Sequence, residues 1–156
     1  MARHDYIVID SNEGPYGLHY VGGYHSHCWY GNEVTLTREL QQNLAFVAVH
    51  KKPGIPLFVY EITKTNKTKG KMYFSAPFSR MYLHKHLAEG IEHFKVRCNA
   101  SMTVYDMKFY VSTDDRANLT TGWTFFMDDL EINVDATCVF EFYEEHEELK
   151  LTVHQL

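Results

Sequence analysis

Through the C-terminal part of the chain, apolar and polar residues alternate with the period of a half-buried β-strand. In residues 103–111, Tyr105, Met107, Phe109 and Val111 fall on one face while Asp106 and Lys108 fall on the other. The same period sets Phe94, Val96 and Cys98 against His93, Lys95 and Arg97, and Cys138, Phe140 and Phe142 against Val139, Glu141 and Tyr143. It returns in Leu149, Leu151 and Val153. Upstream, Phe58, Tyr60 and Ile62 alternate with Val59, Glu61 and Thr63, just after the break at Pro53, Gly54, Ile55 and Pro56. Further short strands are expected around residues 71–74 and 116–120.

Two helical pieces interrupt these strands. Ser75, Ala76 and Pro77 suit a helix start, with Phe78, Met81 and Tyr82 following at helical spacing, so a helix is predicted to about residue 87. A second short helix is predicted over residues 122–127, with Trp123 and Phe126 on one face. The acids Asp128 and Asp129 oppose the dipole at its C-terminus and keep it brief. Short antiparallel strands with few helices favour an open or closed barrel, which makes the fold class mostly β.

A domain boundary is expected near residue 54, which divides the chain into an unassigned N-terminal extension, 1–53, and a domain, 54–156. In the extension, residues 6–9 and 45–49 look like strands and residues 34–44 include a short helix. Residues 14–30 are rich in Gly, Tyr and His and carry no sustained period.

Composition narrows the function classes. A chain of 156 residues that is 45% hydrophobic and 15% aromatic can bury a real core. It has no run approaching the ~20 apolar residues of a membrane-spanning helix, and its start lacks a secretory signal, so a soluble intracellular protein with no membrane partner is expected. Cys28, Cys98 and Cys138 are too few and too widely spaced for a disulfide framework or a paired-cysteine zinc motif. His25, Ser26, His27 and Cys28 crowd metal-ligand types together, and on a strand His25 and His27 would share a face. No fourth ligand accompanies them, so neither a metal nor a cofactor is expected. No nucleophile elbow, phosphate-cradling glycine loop or metalloprotease pattern is present, and the chain is not expected to be an enzyme.

Leu119, Thr120, Thr121, Gly122, Trp123, Thr124, Phe125 and Phe126, then Leu130, then Thr137, Cys138, Val139, Phe140, Glu141 and Phe142, and a closing Leu149 to Val153 resemble the second half of a plant B3 DNA-binding domain. Residues 58–66 and 73–83 resemble its first half. The nearest fit is the reproductive-meristem branch of B3 transcription factors, over about 100 residues from Gly54 onward.

The resemblance implies a pseudobarrel of about seven strands with two short helices, action in the nucleus, and sequence-specific binding of double-stranded DNA by two arms in the major groove. The first arm is the loop after the opening strand. Its Lys64, Thr65, Asn66, Lys67, Lys69 and Lys71 offer charge to phosphates and short polar groups to base edges. The second arm precedes the Gly-Trp turn and offers Ser112, Thr113, Arg116 and Asn118, with Asp114 and Asp115 set to repel phosphate. Thr121 stands where the family commonly has a lysine. Asp135 and Ala136 stand where it has a Gly-Asp pair, and aspartate tolerates the positive φ that glycine would adopt.

Net charge runs against this expectation. The chain carries −5, and from Gly54 onward it has 11 Lys and Arg against 15 Asp and Glu. The acids crowd late, at Glu144, Glu145, Glu147 and Glu148. The alternative is therefore a B3-like protein-interaction module with weak or lost DNA binding. Its partner would be another protein or a second copy, met through residues 1–53, where Tyr16, Tyr20, Tyr24, Trp29 and Tyr30 supply aromatic surface.

Overall fold

The computed structural model describes residues 6–9 and 23–156. Tyr16, Tyr20 and most of the Gly, Tyr and His-rich stretch lie outside the described residues. Strands β1 (Tyr6–Ile9), β2 (Cys28–Gly31) and β3 (Val34–Thr37) precede helix α1 (Arg38–His50). Then come β4 (Leu57–Glu61), α2 (Lys64–Lys69), β5 (Met72–Tyr73), α3 (Ala76–Phe78), β6 (Ile91–Cys98), β7 (Ser101–Val111), β8 (Ala117–Leu119), α4 (Trp123–Asp129), β9 (Thr137–Glu145) and β10 (Glu148–Gln155).

Apart from a β1-β3 ribbon, the strands form one sheet in the order β2-β4-β9-β10-β6-β7-β8-β5. Most neighbours are antiparallel. β10 pairs in parallel with β6 and β2 in parallel with β4, pairings that strand periodicity alone does not reveal. Phe58 on β4 and Phe74 just after β5 come from near opposite ends of this order, yet their ring centroids are 5.2 Å apart. The sheet therefore curls around its core as a half-barrel. Phe74 sits at the centre of that core, edge-on to Phe109, Phe140 and Phe142, and Trp123 closes one end, fully buried and stacked on Phe126.

The alternation read in β6, β7 and β10 is present, with Phe94, Val96 and Cys98, then Tyr105, Met107 and Phe109, then Leu149, Leu151 and Val153 facing the core. In β9 it fails, because Val139, Glu141 and Tyr143 are buried along with Cys138, Phe140 and Phe142. The reason lies upstream. Cys28, Tyr30, Val34, Leu36, Leu44 and Ala48 form a second apolar cluster with Leu57, Val59 and Val139 on the other side of β4 and β9. Residues on the two sides of position 54 thus share one sheet and this second cluster.

Residues 45–49 are helical, correcting the strand expected there. Thr37 caps α1 by accepting the Leu40 N–H at 3.2 Å, and Leu40, Leu44 and Ala48, at a spacing of four, turn one face to the second cluster. The helix expected from Ser75 to residue 87 is three short pieces. α3 passes into a π-helical turn (Ser79–Leu83) and then a 3-10 turn (His84–His86), and Ser75 makes no side-chain cap bond. α4 ends at Asp129, as brief as its acidic C-terminus requires.

Gly122 begins α4 at φ 98°, and a Cβ there would lie 2.3 Å from the Asp106 carbonyl oxygen. Asp135 adopts φ 75°, the left-handed conformation expected where the family carries glycine.

Candidate nucleic-acid interface

The lysine-rich segment expected as a loop is helix α2. Thr63 and Asn66 form a reciprocal cap, in which Thr63 Oγ1 accepts the Asn66 N–H at 3.3 Å and Asn66 Oδ1 accepts the Thr63 N–H at 2.8 Å. Asn66 Nδ2 also donates to the Lys71 carbonyl at 3.0 Å, and Gly70 ends the helix at φ 64°. Asn66 is consequently buried, its hydrogen bonds spent on the helix. Lys64, Thr65, Lys67 and Lys69 are exposed around it.

Among the described residues, Lys64, Lys67 and Lys69 enter no ion pair. In contrast, Arg80 pairs with Asp115, Lys85 with Glu144, Lys95 with Asp106, Lys108 with Glu92, Arg116 with Asp114 and Lys150 with Glu148. The acids are spread over these pairs and the late acidic turn, while the lysines of α2 meet none of them. Glu61 pairs with Thr137, so α2 follows the end of β4 that lies beside the start of β9, and the acidic turn at His146 and Glu147 lies at the other end of β9.

The segment expected as the second arm is the turn between β7 and β8. The Asp115 N–H donates to the Ser112 carbonyl at 3.0 Å, and Asp115 adopts φ 71°. Ser112 Oγ donates to Asp114 Oδ1 at 2.8 Å, and Arg116 Nε donates to Asp114 Oδ2 at 2.7 Å. The Ser112 hydroxyl, with the Arg116 N–H and guanidinium, holds the Asp114 carboxyl down to about 2. Arg116 lies over the Tyr73 ring, 4.2 Å from its centroid. Asp115 is bound by Arg80 at 3.1 Å, and His84 Nε2 meets its carbonyl at 2.9 Å, so the π-helical turn and the 3-10 turn after it anchor the segment. Thr113 is exposed at the tip. Asn118 is fully buried, with Nδ2 donating to the Tyr110 carbonyl at 3.3 Å.

The sheet joins the two expected arms, and three residues that sequence reading missed as site residues, Tyr73, Lys108 and Tyr110, lie between them. β5 pairs Tyr73 with Asn118, and β8 pairs Asn118 with Tyr110, so these three share one face of the sheet. Lys71 Nζ donates to the Tyr110 hydroxyl at 3.4 Å, which raises the Lys71 ammonium above its ordinary range, and Lys108 lies over the same ring. The period-2 pattern placed Lys108 on the outer face of β7, but nothing local linked it to Tyr110, Lys71 or Arg116. The resulting strip carries Lys71, Lys108 and Arg116 over Tyr73 and Tyr110, beside the free lysines of α2. At Lys71, the one of its three cations without an acidic partner among the described residues, it can hold an anion by charge, and its rings can take flat groups by stacking.

His25 lies in a 3-10 turn (Gly23–His27) instead of a strand. It is buried, bonded to the Tyr30 hydroxyl, and burial lowers its imidazole to about 4. Among the described residues no three His, Cys, Asp or Glu side chains are grouped to hold a metal.

A curled, mostly β sheet with short helices, bearing a basic helix and a polar turn at the ends of one strip of basic and tyrosine side chains, defines the class. A B3 domain-containing protein of rice (Oryza sativa subsp. japonica) is 35% identical over 89 residues, covering 57% of this chain and 98% of that protein. The chain belongs to the B3 domain family. Two further rice B3 domain-containing proteins are 24% and 27% identical over 123 and 105 residues, and the chain spans only 24% and 21% of their lengths. No family model matches the chain.

Among solved structures, the chain is similar to a hypothetical Arabidopsis thaliana protein (TM-score 0.48, 12% identity, 62% of this chain and 87% of that one). It is also similar to an Arabidopsis FUS3-DNA complex (TM-score 0.43, 11% identity, 63% and 93%). A third likeness is to an Arabidopsis thaliana transcription factor LEC2-DNA complex (TM-score 0.44, 16% identity, 68% and 96%).

Proposed function

We propose that this chain binds double-stranded DNA with sequence preference, as part of a plant transcription factor acting in the nucleus. The observation that carries the reading is the set of unpaired, exposed lysines on α2, Lys64, Lys67 and Lys69, in a domain whose other cations are mostly neutralised by acids. Phosphate contacts need such charge, and counterion release rewards it. Thr65, Lys71 and Lys108 complete the first arm and its continuation on the sheet, and Ser112, Thr113 and Arg116 form the second arm. Asn66 and Asn118 serve the site as buried supports of the α2 cap and the β8 ladder, with no surface to present to a groove. Family membership, shown by the rice relative, supports the assignment.

The test is fluorescence anisotropy on labelled duplexes across a salt series. Affinity should fall steeply with salt, with a slope of about −0.9 per phosphate neutralised. Replacing Lys64, Lys67 and Lys69 by Ala should flatten that slope by about three and abolish binding near physiological salt. Salt-insensitive binding, or none at low ionic strength, would overturn the reading.

A second reading, a protein-interaction module, is favoured by Phe46 and Val49, which stand 67% and 76% exposed on the outer side of α1. It requires concentration-dependent self-association or capture of another protein through α1. Sedimentation of the wild type beside Phe46→Ser decides whether that face is used.

A further inference from the structure

Asp114 is the feature that fits a DNA-binding face least well, and its geometry gives it a role. It grips Arg116 twice, accepting the backbone N–H on Oδ1 at 3.2 Å and the Nε–H on Oδ2 at 2.7 Å, and is itself held by the Ser112 hydroxyl. The guanidinium face lies on Tyr73. Arg116 is thus fixed at its backbone, its Nε edge and its face. Among the described residues nothing bonds its outer Nη edge, the pair of parallel donors that matches a two-acceptor partner.

Two kinds of partner present such an acceptor pair on duplex DNA, a phosphate and the O6/N7 edge of guanine in the major groove. Charge separates them. Arg80 and Arg116 are balanced by Asp114 and Asp115 within the turn, so it exerts no net pull on an anion. A phosphate reaching Arg116 would also meet the Asp114 carboxylate, which is half exposed and stays ionised. A guanine edge carries no formal charge, so its two acceptors meet a far weaker repulsion from that carboxylate.

We propose that Asp114 is a specificity-determining residue. By orienting Arg116 and repelling phosphate from it, Asp114 reserves the Nη edge for a guanine, while α2 supplies the sequence-independent attraction. The proposal rests on the DNA-binding reading above.

The test takes the full chain as wild type, Asp114→Asn, Asp114→Ser and Arg116→Lys, each checked by thermal melting. A duplex pool with a randomised centre is selected on each protein, and affinities for the enriched and a scrambled duplex are measured across salt. Wild type should enrich a guanine at a position where Arg116→Lys loses roughly tenfold in discrimination. Both Asp114 variants should lose the same preference, bind the scrambled duplex several-fold tighter, and steepen the salt slope by about one as Arg116 turns to phosphate. Asp114 variants that keep the preference and the wild-type slope overturn the proposal. So does an equal loss on both duplexes, which would make Asp114 a turn former only. Absent wild-type binding takes down the DNA reading and this proposal with it, and binding that survives loss of Lys64, Lys67 and Lys69 overturns the role given to α2.

Discussion

Glu141 Oε2 accepts the backbone N–H of Lys52 at 2.7 Å, tying the segment after α1 to the outer side of β9. His154 Nε2 donates to the other carboxylate oxygen at 2.9 Å, and Lys52 lays its ammonium over the Tyr143 ring. Burial pushes the Glu141 carboxyl up, but the bonds from His154 and the Lys52 N–H outweigh it and leave the group below the usual carboxylate range. The unfolded chain therefore binds more protons than the folded one in the acid range. The stability Glu141 contributes is fully present above its unfolded pKa of about 4.3 and is lost as pH falls through the lower folded value. Glu141→Gln should cost about 1–2 kcal/mol at pH 7 and make the fall in urea midpoint between neutral and acid pH shallower. A pH series on both proteins measures it.

Gly122 occupies a position closed to any side chain. At φ 98°, with the Asp106 carbonyl oxygen 2.3 Å from a built Cβ, alanine must displace backbone of β7. Gly122→Ala should destabilise by about 2–3 kcal/mol in urea unfolding, whereas Gly54→Ala, at φ 108° in open space, bears the backbone strain alone and should cost less.

Asn66 and Lys67 are neighbours with opposite roles. Asn66→Ala removes the reciprocal cap of α2 and its bond to the Lys71 carbonyl, and should lower stability by about 1–2 kcal/mol. Lys67→Ala, on the exposed side, should leave the melting temperature nearly unchanged and weaken DNA binding instead. Thermal melts and anisotropy on the two variants separate support from contact.

Cys28 and Cys138 are fully buried, and burial pushes both thiols up to about 12. Neither should react with a thiol reagent at pH 8 while the protein is folded. Both should react at once in denaturant, which makes labelling rate a direct reading of unfolding.

Strands whose outer face meets water were legible in the sequence. β6, β7 and β10 alternate because only one side is covered, and the period of two survives in the residues themselves. Trp123 and Phe126 were legible as one face of a short helix from their spacing of three, and both are fully buried. Asp135 was legible because few residues besides glycine, asparagine and aspartate accept its φ. The pattern in β9 was readable only in half, since Val139, Glu141 and Tyr143 are covered by residues from the far end of the chain. Residues 45–49 resembled a strand because a short apolar run has no period of its own until a packing face selects one.

By itself the sequence determined where the half-covered strands β6, β7 and β10 run, and that Lys64, Lys67 and Lys69 form a local concentration of charge, all properties of neighbours along the chain. Only the tertiary structure decided that Asn66 and Asn118 are buried, that Lys71 meets Tyr110, and that Arg116 lies between Asp114 and Tyr73. The physical reason is that burial and charge pairing depend on which strands become neighbours in the curled sheet. Strand order, with β5 beside β8 and β10 beside β6, is fixed by the packing of Phe74 and its partners from distant segments, not by any residue's local preference.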